Sequence, residues 1–129
     1  ILYRGRIINI ISMSVRQVIP GLGVSNTIRG SIAQWAKTLA LELGDHGITV
    51  NNILPGYSAT TRLQDLAESK ARAQGVSPAD IQESWTVNTS LRRLEKPGEI
   101  ASASAFLASD AASYINGYDL SVDGGRFGA

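Results

Sequence analysis

The chain of 129 residues has room for one domain and one core, and its 43% hydrophobic and 18% charged content is that of an ordinary globular protein. A net charge of +1 supplies no clustered basic face for nucleic acid or an anionic membrane, and the absence of cysteine removes disulfides and thiolate metal sites. No apolar run approaches the roughly 20 residues of a membrane span. The start, ILYRGRIIN, lacks the tripartite order of a signal peptide, and beginning at Ile1 is expected of a fragment, a processed product or a sequence with its beginning missing.

Gly5 to Ser12 (GRIINIIS) is a nearly continuous run of β-branched residues broken by Asn9, which predicts a strand buried on both faces of a parallel sheet. Met13 to Val24 holds Pro20, Gly21 and Gly23 without periodicity and predicts a loop. From Ser25 onward, Ile28, Ile32, Trp35, Ala36, Leu39 and Leu43 recur at three- and four-residue steps. This predicts a helix with Ser25 or Asn26 as N-cap and Gly44 and Gly47 at its end. Ile48 to Leu54 reads as a second buried strand closed by Pro55-Gly56, so the first three elements form a βαβ unit.

Ser58 to Arg62 is a polar loop, and Leu63 to Gln74 predicts an exposed helix. Ser77-Pro78-Ala79-Asp80 supplies a capping serine, a first-turn proline and an acid for a helix running towards Asn88. Pro97-Gly98-Glu99 opens another, with Ile100, Ala103, Ala105, Phe106 and Leu107 as its apolar side, and Gly117 to Asp123 offers a third strand. The fold class is α/β: a partial Rossmann-like, doubly wound domain of three parallel strands with flanking helices, one partial domain over residues 1–129. The first strand has no neighbour on its other edge, so its N–H and C=O groups need covering by another chain. This is the pattern of half a domain.

In their order, GRIINIIS, LALELGDHGITVNNILPG and PGEIASASAFLASDAASYINGYDLSVDGG make the chain resemble the C-terminal half of a short-chain dehydrogenase/reductase of the 3-oxoacyl-carrier-protein reductase type. The resemblance implies a seven-stranded nucleotide-binding sheet whose last three strands lie here. It implies NAD or NADP as cofactor, held only together with the missing N-terminal half, this chain alone being expected to hold none. It also implies a small-molecule carbonyl or alcohol substrate, a cytoplasmic location, and a homo-oligomer or association with a complementing N-terminal half. Neither nucleic acid nor membrane is an expected partner. The glycine-rich GxxxGxG turn that would cradle the dinucleotide phosphates, and the family's Asn-Asn-Ala-Gly segment, do not occur in the sequence.

The resemblance makes Ser12 the catalytic serine. Ser25 then stands where the family has its tyrosine, and Arg29 where it has its lysine, and no Tyr-x-x-x-Lys occurs elsewhere. Carbonyl reduction needs a proton donor on the developing alkoxide, and a phenol of pKa about 10 can be pulled down by an adjacent cation. A serine hydroxyl is a far weaker acid. Arginine can hold ribose hydroxyls but, being always charged, relays no proton. Losing such an acid costs about 10²–10⁴-fold, so the family's ordinary chemistry is expected to be impaired or replaced.

Tyr57 is a candidate surrogate acid, and Arg29, Pro55, Gly56 and Thr60 are the candidate cofactor contacts. Each has a plainer alternative: Ser12 a strand end, Ser25 a helix cap, Arg29 a solvated side chain, Pro55 to Thr60 a turn. Asp123-Gly124-Gly125 is expected to be a turn. His46, the sole histidine, lies beyond the helix's far end, so neither Ser–His activation nor a metal cluster is expected. Three functions remain open: the oxidoreductase, a catalytically silent remnant acting as an assembly or binding module, and a serine hydrolase using Ser12 or Ser25.

Overall fold

The structure, a computed structural model, describes residues 4–126; the expectation about Ile1 lies outside them. Strands β1 (Gly5–Ile10), β2 (Ile48–Pro55) and β3 (Asp119–Val122) form one parallel sheet in the order β1-β2-β3. The helices are α1 (Gly23–Leu43), α2 (Thr61–Gln74), α3 (Pro78–Thr86) and α4 (Pro97–Ala108), and short 3₁₀ turns occupy Met13–Val15, Gly44–His46 and Asp110–Ala112. The predicted α/β order is therefore observed, and its three parallel strands have helices on both faces.

The alternation of β2 explains those two layers. Val50 and Leu54 point to α1, where Ala33, Ala36 and Ala40 let the helix lie close against them, joined by Ile7 and Ile11. Ile53 points the other way, into a cluster with Leu107, Ala112, Ile8, Ile100 and Leu120 beneath α4. Val50, Ile53 and Leu54 are fully buried, a gain of roughly 1.5–3 kcal/mol each relative to exposure. A third, smaller cluster lies away from the sheet, where α2 and α3 enclose Ala67, Ala71, Ile81 and Trp85.

The two buried side-chain amides of β2 each donate and accept hydrogen bonds. Asn51 Nδ2 donates to the Ile115 carbonyl and its Oδ1 accepts from Tyr118 N. Asn52 Oδ1 accepts from Asn9 Nδ2, and Asn52 Nδ2 donates to Asp119 Oδ1, which faces Lys37 of α1 at 3.3 Å through its other oxygen. A polar ladder thus crosses β1, β2 and β3 on the α1 side, between Val50 and Leu54.

The boundaries differ from the sequence expectation where local polar bonds decide them. β1 stops at Ile10, not Ser12, because Ser12 caps the following 3₁₀ turn through a bond from Ser14 N. α1 starts at Gly23 with Leu22 at its N-cap position and no side-chain cap. Asn26, one expected cap, instead donates its side-chain amide to the Ile19 carbonyl across the Gly21 turn, where φ is +83°. α1 runs through Gly44 into a 3₁₀ turn, and Gly47, at φ +72°, makes the stop. α2 begins at Thr61, with Thr60 as its cap, α3 ends at Thr86 and β3 is confined to Asp119–Val122.

Candidate active site

At the end of β1, Ser12 is half-buried in extended backbone, and its Oγ accepts from Ser14 N at 3.1 Å. Its hydroxyl proton is left to donate elsewhere. Ser14 is itself buried, and its Oγ has no hydrogen-bond partner among the described residues.

Ser25 and Arg29 lie one turn apart on α1, the spacing at which helical side chains meet. Arg29 Nε donates to Ser25 Oγ at 3.0 Å, and Arg29 Nη1 donates to the Ile11 carbonyl, one residue before Ser12. Arg29 therefore fastens the start of α1 to the end of β1 and keeps a fixed positive charge there. Ser25 is not the helix cap that sequence also allowed; it is the acceptor for that arginine.

Ser25 and Arg29 open onto a groove of about 760 Å³ along the same junction, whose apolar walls include Ile10, Leu22, Val24 and Ile28. No acid or imidazole lines it. His46 sits exposed beyond the opposite end of α1, a helix about 30 Å long, so no base reaches Ser12 or Ser25 from there.

The other sequence candidates gather at the end of β2. Gly56 N donates to the Val122 carbonyl at 3.0 Å and to Glu95 Oε2 at 3.2 Å. A Cβ on Gly56 would come within 3.0 Å of Asp123 Cα, so the corner admits glycine for its close approach to the chain after β3. Thr60 caps α2, its Oγ1 accepting from Leu63 N at 3.3 Å.

Tyr57 turns away from the β1–α1 groove. Its ring stacks on Trp85 with centroids 5.2 Å apart, and the Arg126 guanidinium lies 4.8 Å from its centre. It lines a separate cavity of about 200 Å³ together with Glu95, Ser121 and Asp123. Beyond β3, Asp123 Oδ1 accepts from Gly125 N, and Gly124 and Gly125 both have positive φ, forming the expected turn.

Glu95 is the functional candidate that sequence reading missed. It is 8% exposed, and Ser58 Oγ donates to the same oxygen as Gly56. Burial pushes its carboxyl up to about 6, opposed by the bonds from Ser58 and Gly56 and helped by the charges of Glu99 and Asp123. Nothing in RRLEKPGE marks this glutamate as inward-facing, since its partners lie 37 and 39 residues earlier.

Known proteins resemble the chain over nearly its whole length. A family model described as enoyl-(acyl carrier protein) reductase matches residues 2–126. The short-chain reductase protein NovJ of Streptomyces niveus is 40% identical over 124 residues, 95% of this chain and 45% of that protein. The NADPH-dependent reductase BacG of Bacillus subtilis is 31% identical over 121 residues, 94% of this chain and 47% of that protein. Among solved structures, a short chain dehydrogenase family protein from Francisella tularensis superposes with a TM-score of 0.92 at 30% identity, covering 96% of this chain and 51% of that one. This chain thus spans about half the length of the curated relatives it matches. The chain belongs to the short-chain dehydrogenase/reductase family.

Proposed function

We propose that this chain is the C-terminal half of an NAD(P)-linked oxidoreductase acting on a small-molecule carbonyl or alcohol. In this reading Ser12 presents its hydroxyl to the reacting oxygen and Arg29 holds ribose hydroxyls. The observation that carries it is the guanidinium fixed between Ser25 and Ile11, a cation at the end of β1 beside Ser12. The reductase names borne by NovJ and BacG support the reaction class.

The donor set suits one end of the dinucleotide. Arg29 has N–H groups beyond those given to Ser25 and Ile11, and Ser12 and Thr60 each use an oxygen as acceptor while keeping a hydroxyl proton. These fit the nicotinamide and its ribose. Pro55 and Gly56 would contribute shape, since the Gly56 N–H is already engaged. The described residues hold no glycine-rich strand-to-helix turn for the diphosphate. When bound, the dinucleotide supplies or takes the hydride.

Proton delivery is where this chain departs from its family. Ser25 stands beside the Arg29 charge, which favours its ionised form but cannot bring an aliphatic hydroxyl into the range of a phenol. Tyr57 is held against Trp85 in the other cavity, so the geometry gives its surrogate role no support. The test is titration of the protein, with its complementing half, against NADPH and NADH. Saturable binding is expected, with carbonyl reduction lost on Ser12→Ala. The pair Ser25→Tyr and Arg29→Lys is expected to raise turnover by about 10²-fold or more. No saturable binding of either nucleotide would sink the reading.

A second reading, a silent module that works by association, is favoured by a different observation. β1 is an edge strand with Ile10 half exposed, and the groove beside it is apolar. On this reading the chain pairs with its complementing half or with another copy. Sedimentation should show species larger than the monomer, and a well-folded monomer would contradict it.

A further inference from the structure

β2 ends at Pro55, the chain turns outward through residues 56–60 into α2, and it returns from α3 past Glu95. The outgoing and returning passes are joined by an isolated parallel bridge between Ser58 and Glu95. Glu95 N donates to the Tyr57 carbonyl at 2.9 Å, and Ala59 N donates to the Glu95 carbonyl at 2.7 Å. The Glu95 side chain folds back onto the same corner, Oε2 accepting from Gly56 N and Ser58 Oγ. Its Oε1 is buried with no hydrogen-bond partner among the described residues.

Between the joined residues lies the α2–α3 hairpin, whose helices pack chiefly on each other. Its returning limb is tied to the chain beyond β3 by Leu91 N to the Gly124 carbonyl and by Arg126 Nη1 to the Trp85 carbonyl. Its outgoing limb has the Glu95 joint and the Tyr57–Trp85 stack. One residue thus touches the corner through two backbone and two side-chain bonds.

We propose that Glu95 is the positioning residue of this corner, its carboxyl setting the conformation of residues 56–60 and closing the base of the α2–α3 hairpin. Gly56 and Thr60 belong to the contacts assigned above to the nicotinamide end. The joint is a property of the fold, however, and is read without any dinucleotide.

The joint responds to pH with a definite sign. Burial holds the Glu95 carboxyl at about 6, above its ordinary 4.5. The titratable and charged groups around it are Arg93 and Lys96 on its own segment, Glu99 at the start of α4, Asp123 after β3, and the neutral Tyr57 with Arg126 from the far side. Arg93 is drawn off into a two-pronged pair with Glu99, at 2.6 and 2.8 Å, and Glu95 Oε1 has no hydrogen-bond partner among the described residues. A carboxyl that binds its proton more tightly in the joint than in water is held there by protonation. The joint tightens as pH falls through about 6 and loosens above it.

Residue-resolved amide exchange on the whole protein, from about pH 5 to about pH 7.5 and corrected for intrinsic rates, reads the joint at Ala59 N and Glu95 N. Protection at both should fall about tenfold as pH rises through the transition. Glu95→Gln, a neutral isostere, should keep them protected with no transition, and Glu95→Ala should leave them unprotected throughout. The Ile53 amide, in the sheet, should stay protected in all three. Wild-type protection that is flat or rises with pH, or a transition that survives in Glu95→Gln, overturns the proposal. If Glu95→Ala loses Ile53 protection as well, the wild-type and Glu95→Gln profiles decide alone.

Discussion

Arg29 donates from two different nitrogens to Ser25 Oγ and the Ile11 carbonyl, so a single side chain closes the junction of β1 and α1. Removing it leaves a carbonyl and a hydroxyl to find other partners in a half-buried place. Arg29→Ala should therefore cost roughly 1–3 kcal/mol in urea unfolding. Arg29→Lys should recover only part of this, because one ammonium cannot reproduce a fork aimed at two acceptors. A lysine variant as stable as wild type would show that only one of the two bonds matters. Gly124 makes a second prediction at this scale. Its φ is +64°, and a Cβ there would meet Thr89 Cγ2 at 2.8 Å. Gly124→Ala should destabilise by more than about 1 kcal/mol, read as a lower melting temperature. The resemblance pointed to Ser12, Ser25 and Arg29 from spacing alone, and the fold does gather them at one junction. Spacing could not show that Ser25 is the arginine's acceptor, nor that Tyr57 belongs with Trp85, because those facts depend on how side chains turn.

The α2–α3 hairpin carries its own small core and its own start signal. Ser77 Oγ accepts from Asp80 N, and Asp80 Oδ2 accepts from Ser77 N, a reciprocal cap written in four consecutive residues. Such a local signal is readable without a fold, which is why the start of α3 came through correctly. The start of α1 did not, since Asn26 bonds a carbonyl seven residues back across a loop without periodicity. What Asn51 and Asn52 do inside a buried strand is not legible locally, because their partners Ile115, Tyr118 and Asp119 stand more than sixty residues downstream. The hairpin's partial independence from the sheet has a measurable consequence. Trp85→Ala removes the Tyr57 stack and the centre of that cluster, at a cost of about 3–5 kcal/mol. Exchange protection should be lost across α2 and α3 while the amides of β2 keep theirs. Uniform loss across β2 as well would show that hairpin and sheet unfold as one unit.

For the molecule as a whole, pH acts on stability in two opposite directions, and the carboxylates assign each to a place. Glu95 has a folded value of about 6 against an ordinary 4.5, so the folded chain holds its proton more tightly than the unfolded one. Stability from this group rises as pH falls from about 6 towards 4.5 and is level on either side. Glu99 is the reverse case. The Arg93 guanidinium, and then the Lys96 backbone N–H, hold its carboxyl down at about 2, so its contribution is present above 4.5 and lost as pH falls towards 2. Asp80, lowered by its bonds from Ser77, acts in the same sense as Glu99. Denaturant midpoints at one protein concentration should therefore rise as the pH is lowered from neutrality, reach a maximum near the ordinary carboxylate value, and fall in stronger acid. Glu95→Gln should remove the rise and keep the acid fall, whereas Glu99→Gln should keep the rise and soften the fall. A wild-type midpoint that declines steadily from neutral pH downward would mean that Glu95 is solvated in the folded chain. The corner at the end of β2 would then be held by its backbone bonds alone.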